Sequence, residues 1–195
     1  MAKRGALIWM LKVVTITTVG ITSVSLIDNM VKQTKEEQHT VSYEPVIMYY
    51  SMDKTMDVPD GDTSFKTYMD FRAITDTSSV QYKMQQEAYT DEYGIRKYKT
   101  GDYMVAMGSY YGQVGDRFRI TLDSGETIRC IMGDAKADCH TDAYNQYTPC
   151  GSGKNVIEFV VDTPALSDEA RQMGDISYSD DTFEGNISKI ERIEE

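Results

Sequence analysis

The sequence predicts a mainly β fold, a small closed β-barrel with short helices that is preceded by an N-terminal membrane helix. Short runs of alternating apolar and polar residues recur between turns that are rich in Gly and Asp. Only two short stretches have a helical pattern, and many short strands with few helices are typical of a small barrel. An uncharged run follows a basic N-terminus, which is typical of a membrane segment.

The N-terminal segment, residues 1–28, is predicted to be a signal anchor. Residues 13–27 carry no charge, and Lys12 is the one charged residue in the preceding stretch from Gly5. Such a segment can cross a bilayer when its lysine reaches the headgroups. We therefore expect a single-pass protein of the cell membrane whose C-terminal domain is extracytoplasmic. A cleaved signal peptide and an ordinary core element are the alternatives.

Beyond the anchor, the sequence predicts a stalk and linker over residues 29–64 and a folded domain over residues 65–195. Residues 28–40 are charged and compatible with a helix, and residues 52–64 are rich in Asp, Gly and Pro. Linkers and exposed loops have this composition. The domain boundary is therefore expected near residue 65.

Within the domain, the apolar pattern predicts six strands and two short helices. Residues 123–125 read Asp-Ser-Gly, which predicts a hairpin turn between two of the strands. Ser78 or Ser79 is the expected N-cap of the first helix. The predicted strands are residues 65–75, 101–107, 116–122, 126–132, 155–161 and 186–193, and the predicted helices are 78–88 and 167–173.

The charge of the chain excludes some classes of function. Its net charge is −11, and its Lys and Arg residues do not cluster, whereas a nucleic-acid groove needs clustered cations. The chain has no Gly-rich phosphate loop, no nucleophile elbow and no His-Glu zinc helix. We therefore expect neither nucleic acid as a partner nor a bound cofactor.

Three aspartates, Asp134, Asp138 and Asp142, lie in the polar segment between two predicted strands, with His140 among them. Crowded carboxylates repel one another, so they usually have a functional role or bind a cation. Three alternatives stay open: turn capping by the aspartates, a calcium site, and His140 as a general base.

The three cysteines allow one intramolecular disulfide at most. Cys139 and Cys150 bracket a short loop, and they are the expected pair if the domain is extracytoplasmic. Cys130 lies in an alternating strand pattern and is expected to be a buried free thiol. A zinc site at Cys139, His140 and Cys150 is the alternative, although the spacing fits no common zinc pattern, and we predict no metal.

Three runs of the sequence carry a resemblance to a known family. They are VAMGSYYG at 105–112, GDRFRITLDSGETIRCIMGDAKAD at 115–138 and NVIEFVVD at 155–162. Their order resembles the double-psi β-barrel of the three-aspartate (3D) domain, which occurs in cell-wall proteins and membrane-bound lytic transglycosylases. The chain is also similar to membrane-anchored proteins of Firmicutes and their phages. The resemblance covers residues 65–163 and implies a six-stranded double-psi barrel.

The resemblance also implies a function. Asp134 matches the position of the aspartate that acts as general acid and then as base on glycan strands, and Asp138 is the second catalytic candidate. A carboxylic acid that donates a proton near neutral pH needs surroundings that raise its pKa. Tyr110, Tyr111 and Asp142 are predicted to contact the substrate, which is expected to be peptidoglycan. The alternative is a non-catalytic wall-binding or structural envelope module, including one that a phage encodes.

Overall fold

The computed structural model describes residues 53–193. The predicted signal anchor and most of the predicted stalk lie outside the described residues. Of the helices in the described part, none is long and apolar enough to cross a membrane.

The described part of the chain is mainly β, as predicted. It contains eleven strands, two α-helices and five short 3-10 helices. The strands are β1 (Lys54–Met56), β2 (Tyr68–Asp70), β3 (Tyr89–Thr90), β4 (Arg96–Lys97), β5 (Tyr103–Met107), β6 (Arg117–Leu122), β7 (Thr127–Ala135), β8 (Thr148–Cys150), β9 (Gly153–Asn155), β10 (Glu158–Val161) and β11 (Ile187–Ile193). The helices are α1 (Val80–Gln86) and α2 (Asp168–Met173), and the 3-10 helices are Phe71–Ala73, Asp138–His140, Thr163–Ala165, Ile176–Tyr178 and Asp181–Phe183.

Nine strands form one sheet, and β8 pairs with β9 in a separate two-stranded sheet. The main path through the large sheet is β1-β11-β6-β7-β5-β10-β2, and β3 and β4 extend it beside β5. Two neighbouring pairs, β5 with β7 and β10 with β2, are parallel, and the other pairs in this sheet are antiparallel. The carboxyl ends of β5 and β7 therefore lie side by side.

The main core is built from alternate residues of the long strands. Phe118, Ile120 and Leu122 of β6 are fully buried, and the residues between them are only partly buried. This alternation is what a strand with one buried face requires. The main core also contains Met107 of β5 and Phe159 of β10.

A second, smaller core lies on the opposite face of the central strands. Met104 of β5, Ile131 of β7 and Val160 of β10 pack against Met84 of α1. Because α1 covers this face, the three strands are buried on both sides there, and their sequences are nearly continuous apolar runs.

Several sequence predictions are confirmed. Strands β6 and β7 form the predicted antiparallel hairpin, with Thr121 paired to Thr127 beside the turn. Ser79 caps α1 by accepting a hydrogen bond from the backbone N–H of Tyr82. Strand β11 has a bulge near its start, which explains why its sequence departs from strict alternation.

Two predicted boundaries are wrong. The predicted strand over residues 65–75 is a three-residue strand, β2, that passes directly into the 3-10 helix Phe71–Ala73. Residues assigned to the linker belong to the folded sheet, since β1 pairs with β11, and both Met56 and Thr63 are buried. The composition of this segment predicted a linker because β1, with three residues, is too short to give a periodic pattern.

Candidate functional site

The candidate site lies where the parallel strands β5 and β7 end. Ala106 and Met107 of β5 pair with Asp134 and Ala135 of β7. Beyond these pairs, the backbone N–H of Lys136 donates to the carbonyl of Met107 at 2.9 Å. The two strands therefore deliver Asp134 and the loop that follows β7 to the same edge of the sheet.

A bulge in β7 determines which way Asp134 faces. Val105 pairs with Met132, but Ala106 pairs with Asp134, so Gly133 is the extra residue. Without the bulge, Asp134 would pair with Met107 and share its core-facing side, because side chains alternate along a strand. Gly133 suits this position because a Cβ there would lie 2.7 Å from Met104 Cε.

The same register brings a second carboxylate to this face. Ala106 pairs with Asp134 on one side and with Glu158 of β10 on the other. Residues directly opposite each other in a sheet point to the same face, so Asp134 and Glu158 share one face. Neighbouring strands lie about 4.8 Å apart, so the Cα atoms of these two residues, two strands apart, are separated by roughly 10 Å. Ala106, which lies between them, is itself buried.

Both carboxylates retain unused hydrogen-bonding capacity. Asp134 is half-buried, and its Oδ1 accepts from Ala135 N at 2.9 Å and, over a long 3.5 Å, from Gln81 Nε2 of α1. No donor from residues 53–193 reaches Asp134 Oδ2, and within that range the Glu158 side chain makes neither a hydrogen bond nor an ion pair. These oxygens are therefore available to a ligand.

Lys136, two residues beyond Asp134, is buried rather than exposed. Only 7% of its surface is accessible, and its Nζ donates to the carbonyl of Asn155 at 2.5 Å. Burial lowers the pKa of the Lys136 ammonium to about 8, and the negative charge of Glu158 acts in the opposite direction. Lys136 is thus a buried cation on which the charge of Glu158 acts.

An open groove of about 470 Å³ adjoins Glu158. Its lining combines polar side chains with the ring of Tyr68 and the thiol of Cys150. The lining residues are Thr67, Tyr68, Thr148, Pro149, Cys150, Asn155, Glu158 and Gly174.

Asp138 and Asp142, by contrast, are used to hold the loop together. Asp138 is exposed and accepts a 2.7 Å hydrogen bond from Ser109 Oγ, which ties the loop to the end of β5. Asp142 accepts from the backbone N–H groups of Tyr144, Gln146 and Tyr147. Partial burial raises the pKa of Asp142, but these three donors outweigh it and hold the pKa below its ordinary value.

The two tyrosines predicted to contact substrate have different surroundings. Tyr111 is fully buried, and its hydroxyl donates to the carbonyl of Asp57, so its ring is not accessible for the predicted substrate contact. Burial also raises the pKa of the Tyr111 hydroxyl. Tyr110 is 37% exposed, and its hydroxyl donates to Asp57 Oδ2 at 2.7 Å. One face of Tyr110 is therefore accessible.

The predicted disulfide does not form in the structure. Cys130, Cys139 and Cys150 are all free; the first is buried in the main core, the second is exposed and the third is partly buried. Burial raises the pKa of the Cys130 thiol. His140 is exposed at the end of a 3-10 helix. Among residues 53–193, no group of three or more His, Cys, Asp or Glu side chains is placed to hold a metal ion.

Comparison with known proteins does not extend these observations. No family model matches the chain, and neither curated proteins nor solved structures show a match to it. The resemblance to the three-aspartate domain therefore remains a prediction from the sequence.

The sequence analysis missed Glu158 and the burial of Lys136. Glu158 opens an otherwise apolar strand, Glu-Phe-Val-Val, and a charged residue at the end of a buried strand was the available signal. Lys136 lies in a run of acidic residues, a pattern that gives no sign of burial. Its burial depends on the position of Asn155, which only the fold reveals.

Proposed function

We propose that this protein is a membrane-anchored, extracytoplasmic enzyme that cleaves the glycan strands of peptidoglycan in the manner of a lytic transglycosylase, on a double-psi β-barrel. The observation that carries the proposal is the Gly133 bulge, which turns Asp134 away from the main core, where no donor from the described residues reaches its Oδ2. The basic, then uncharged, N-terminal segment supports the location.

Asp134 performs both proton transfers in this reaction. Its protonated carboxyl donates to the glycosidic oxygen while the bond from that oxygen to C1 breaks. The C6 hydroxyl of the sugar that carries C1 then attacks C1 and gives its proton to the Asp134 carboxylate. The products are a 1,6-anhydro sugar and a free hydroxyl on the leaving glycan, and no water is consumed.

The neighbouring groups have supporting roles. Glu158 lies across Ala106 from Asp134 and contributes a negative charge that favours the positive character developing at C1 in the transition state. Asp138 anchors the loop through Ser109 and does not touch the substrate. Asp142 serves only to order the loop.

The products of the reaction test this proposal. The purified full chain is incubated with peptidoglycan, and soluble fragments are identified by mass spectrometry. We expect 1,6-anhydromuramyl ends, which are one water molecule lighter than hydrolysed ends. Fragments with ordinary reducing ends would instead indicate a hydrolase, and the absence of fragments would reject the enzymatic function.

A non-catalytic wall-binding module is the second candidate. The loop aspartates favour this candidate. Asp138 and Asp142 accept hydrogen bonds within the protein, so two of the three aspartates have a structural role that needs no catalysis. In that case the chain would sediment with peptidoglycan but release no fragments. The same incubation therefore separates the two candidates.

A further inference from the structure

Another open groove, of about 500 Å³, is lined by β1, β11 and the segment between β5 and β6. Its lining combines charged side chains with two tyrosine rings. The lining residues are Lys54, Met56, Ser109, Tyr110, Tyr111, Gly112, Gln113, Asp116 and Arg192. Neither Asp134 nor Glu158 is among them, so this groove is distinct from the candidate site.

Two cations lie side by side in this groove. Lys54 of β1 and Arg192 of β11 are directly opposite each other in the antiparallel register, and both line the groove. Side chains of directly opposite residues are close neighbours, and like charges in such a pair destabilise the sheet. An anion bound beside both cations would reduce this repulsion.

The protein supplies one carboxylate to the lining. Asp116 Oδ2 accepts from Arg192 Nη1 at 3.5 Å and from the backbone N–H of Gln113 at 3.0 Å. Lys54 is exposed, and within residues 53–193 its side chain makes neither a hydrogen bond nor an ion pair. Two cations against one acid give the lining an excess of one positive charge, whereas the whole chain has a net charge of −11.

Tyr110 adds an aromatic surface to the same groove. Its hydroxyl donates to Asp57 Oδ2, and its ring packs edge-on against the ring of Tyr111, with 5.1 Å between the centroids. These two contacts hold the partly exposed ring in one orientation, which suits packing against the apolar face of a sugar. The exposed amide of Gln113, also in the lining, can donate to and accept from sugar hydroxyls.

We propose that this groove binds a sugar unit that bears a carboxylate, and that it docks the protein on an acidic polysaccharide. The carboxylate accepts a hydrogen bond from the Lys54 ammonium and lies beside Arg192, while the sugar ring packs against Tyr110. The two cations repel an ammonium ligand, and a neutral sugar leaves Lys54 without an anion. This inference does not depend on the proposed enzymatic function, because neither Asp134 nor Glu158 lines the groove.

A matched pair of oligosaccharides tests the inference on the full chain. The probes are tetragalacturonic acid and its methyl ester, which has the same sugar rings without the charges. Isothermal titration calorimetry should show saturable binding of the acid, about tenfold tighter than that of the ester. Binding of the acid should also weaken as the NaCl concentration is raised, because salt screens exposed charges.

Three variants assign the binding to this groove. Lys54→Met should weaken binding of the acid about tenfold and leave binding of the ester unchanged, because one charge-assisted hydrogen bond is lost. Tyr110→Ala should weaken binding of both probes, because both use the ring. Lys83→Met is the matched control, since Lys83 is exposed on α1 and does not line the groove, and it should change neither. Thermal unfolding verifies that each variant is folded.

Equal binding of the acid and the ester overturns the inference, and so does a folded Lys54→Met variant that binds the acid as tightly as the unmodified chain. Tighter binding of glycerol 3-phosphate than of the acid would assign the groove to phosphate groups and reject the carboxylated sugar. Release of peptidoglycan fragments by a chain that does not bind the acid would retain the enzyme and reject this groove. Binding of the acid by a chain that releases no fragments would do the reverse.

Discussion

Carboxylates lie in two regions near the end of β7, the loop and the sheet, and the two sets differ in the hydrogen bonds that they accept. In the loop over residues 138–147, Asp138 and Asp142 accept hydrogen bonds from Ser109 and from three backbone N–H groups. On the sheet, no donor from the described residues reaches Asp134 Oδ2 or the Glu158 side chain. Acidic crowding in the sequence therefore does not by itself locate a site.

The difference has a simple physical cause. A turn leaves several backbone N–H groups unpaired, and a nearby aspartate satisfies them, as Asp142 does. In a strand, the ladder already pairs those groups, so a carboxylate on it finds few local donors. A carboxylate that a strand presents to solvent therefore remains available to bind a ligand.

Replacing Gly108 by alanine should produce the largest loss of stability. Gly108 packs against the loop so closely that a Cβ would overlap the carbonyl oxygen of Asn145. Moving the loop backbone to make room should lower the free energy of unfolding by about 2–3 kcal/mol. Urea denaturation measures the loss.

Gly153→Ala is the control for that substitution. A Cβ at Gly153 would lie 3.4 Å from the carbonyl oxygen of Cys150, which a small shift can accommodate. We expect a loss below about 1 kcal/mol. An equal loss in both variants would contradict the close packing of the loop on Gly108.

The comparison between the loop aspartates predicts the next largest effect. Asp142→Ala removes the acceptor of three backbone N–H donors and should lower the free energy of unfolding by about 1–3 kcal/mol. Asp138→Ala removes one exposed hydrogen bond and should lower it by less than about 1 kcal/mol. Urea denaturation of the two variants checks this order. Equal costs would mean that Asp142 does not order the loop.

The contribution of Asp142 to the stability of the fold should also depend on pH. Its pKa is lower in the folded than in the unfolded chain, so the ionised form stabilises the fold. This stabilisation is complete above the unfolded value of about 3.9 and is lost as the pH falls through the lower folded value. The difference in stability between the unmodified chain and Asp142→Ala should therefore narrow in acid, and a constant difference would contradict the assignment.

Lys136 should make the stability depend on pH in the alkaline range, because burial disfavours its charged form. Because its pKa is lowered to about 8 in the folded chain, the unfolded chain holds this proton more tightly. Stability should therefore rise as the pH rises from about 8 to the ordinary lysine value of about 10.4, and this rise should be smaller in Lys136→Met. Lys66, whose pKa is also lowered to about 8, is present in both proteins, so their difference isolates Lys136.

The last prediction concerns how readily the three cysteine thiols react with an alkylating reagent. Cys139 and Cys150 should be alkylated in the native chain, Cys150 more slowly because it is partly buried, and Cys130 only after unfolding. Peptide mapping under non-reducing conditions checks this pattern. A Cys139–Cys150 disulfide in native material would contradict the free thiols of the structure.

The mainly β class and several single elements were predictable, because strands and caps are local features. The hairpin of β6 and β7 followed from alternation around Asp-Ser-Gly, and the cap at Ser79 followed from the residue type. The pairing of Glu158 with Ala106 joins segments that are distant along the chain, so no local pattern could reveal it. Asp134 was a candidate from its position in the motif, but its orientation depends on the Gly133 bulge.

The central claim is that the strand-borne Asp134, and not the loop-borne Asp138, performs the chemistry. Its most direct test compares Asp134→Asn with Asp138→Asn in the release of 1,6-anhydromuramyl fragments from peptidoglycan, with thermal unfolding as the check on folding. We expect Asp134→Asn to lose at least about a hundredfold in rate and Asp138→Asn to stay within about threefold of the unmodified chain. Equal losses in the two folded variants, or activity that survives in Asp134→Asn, would contradict the claim.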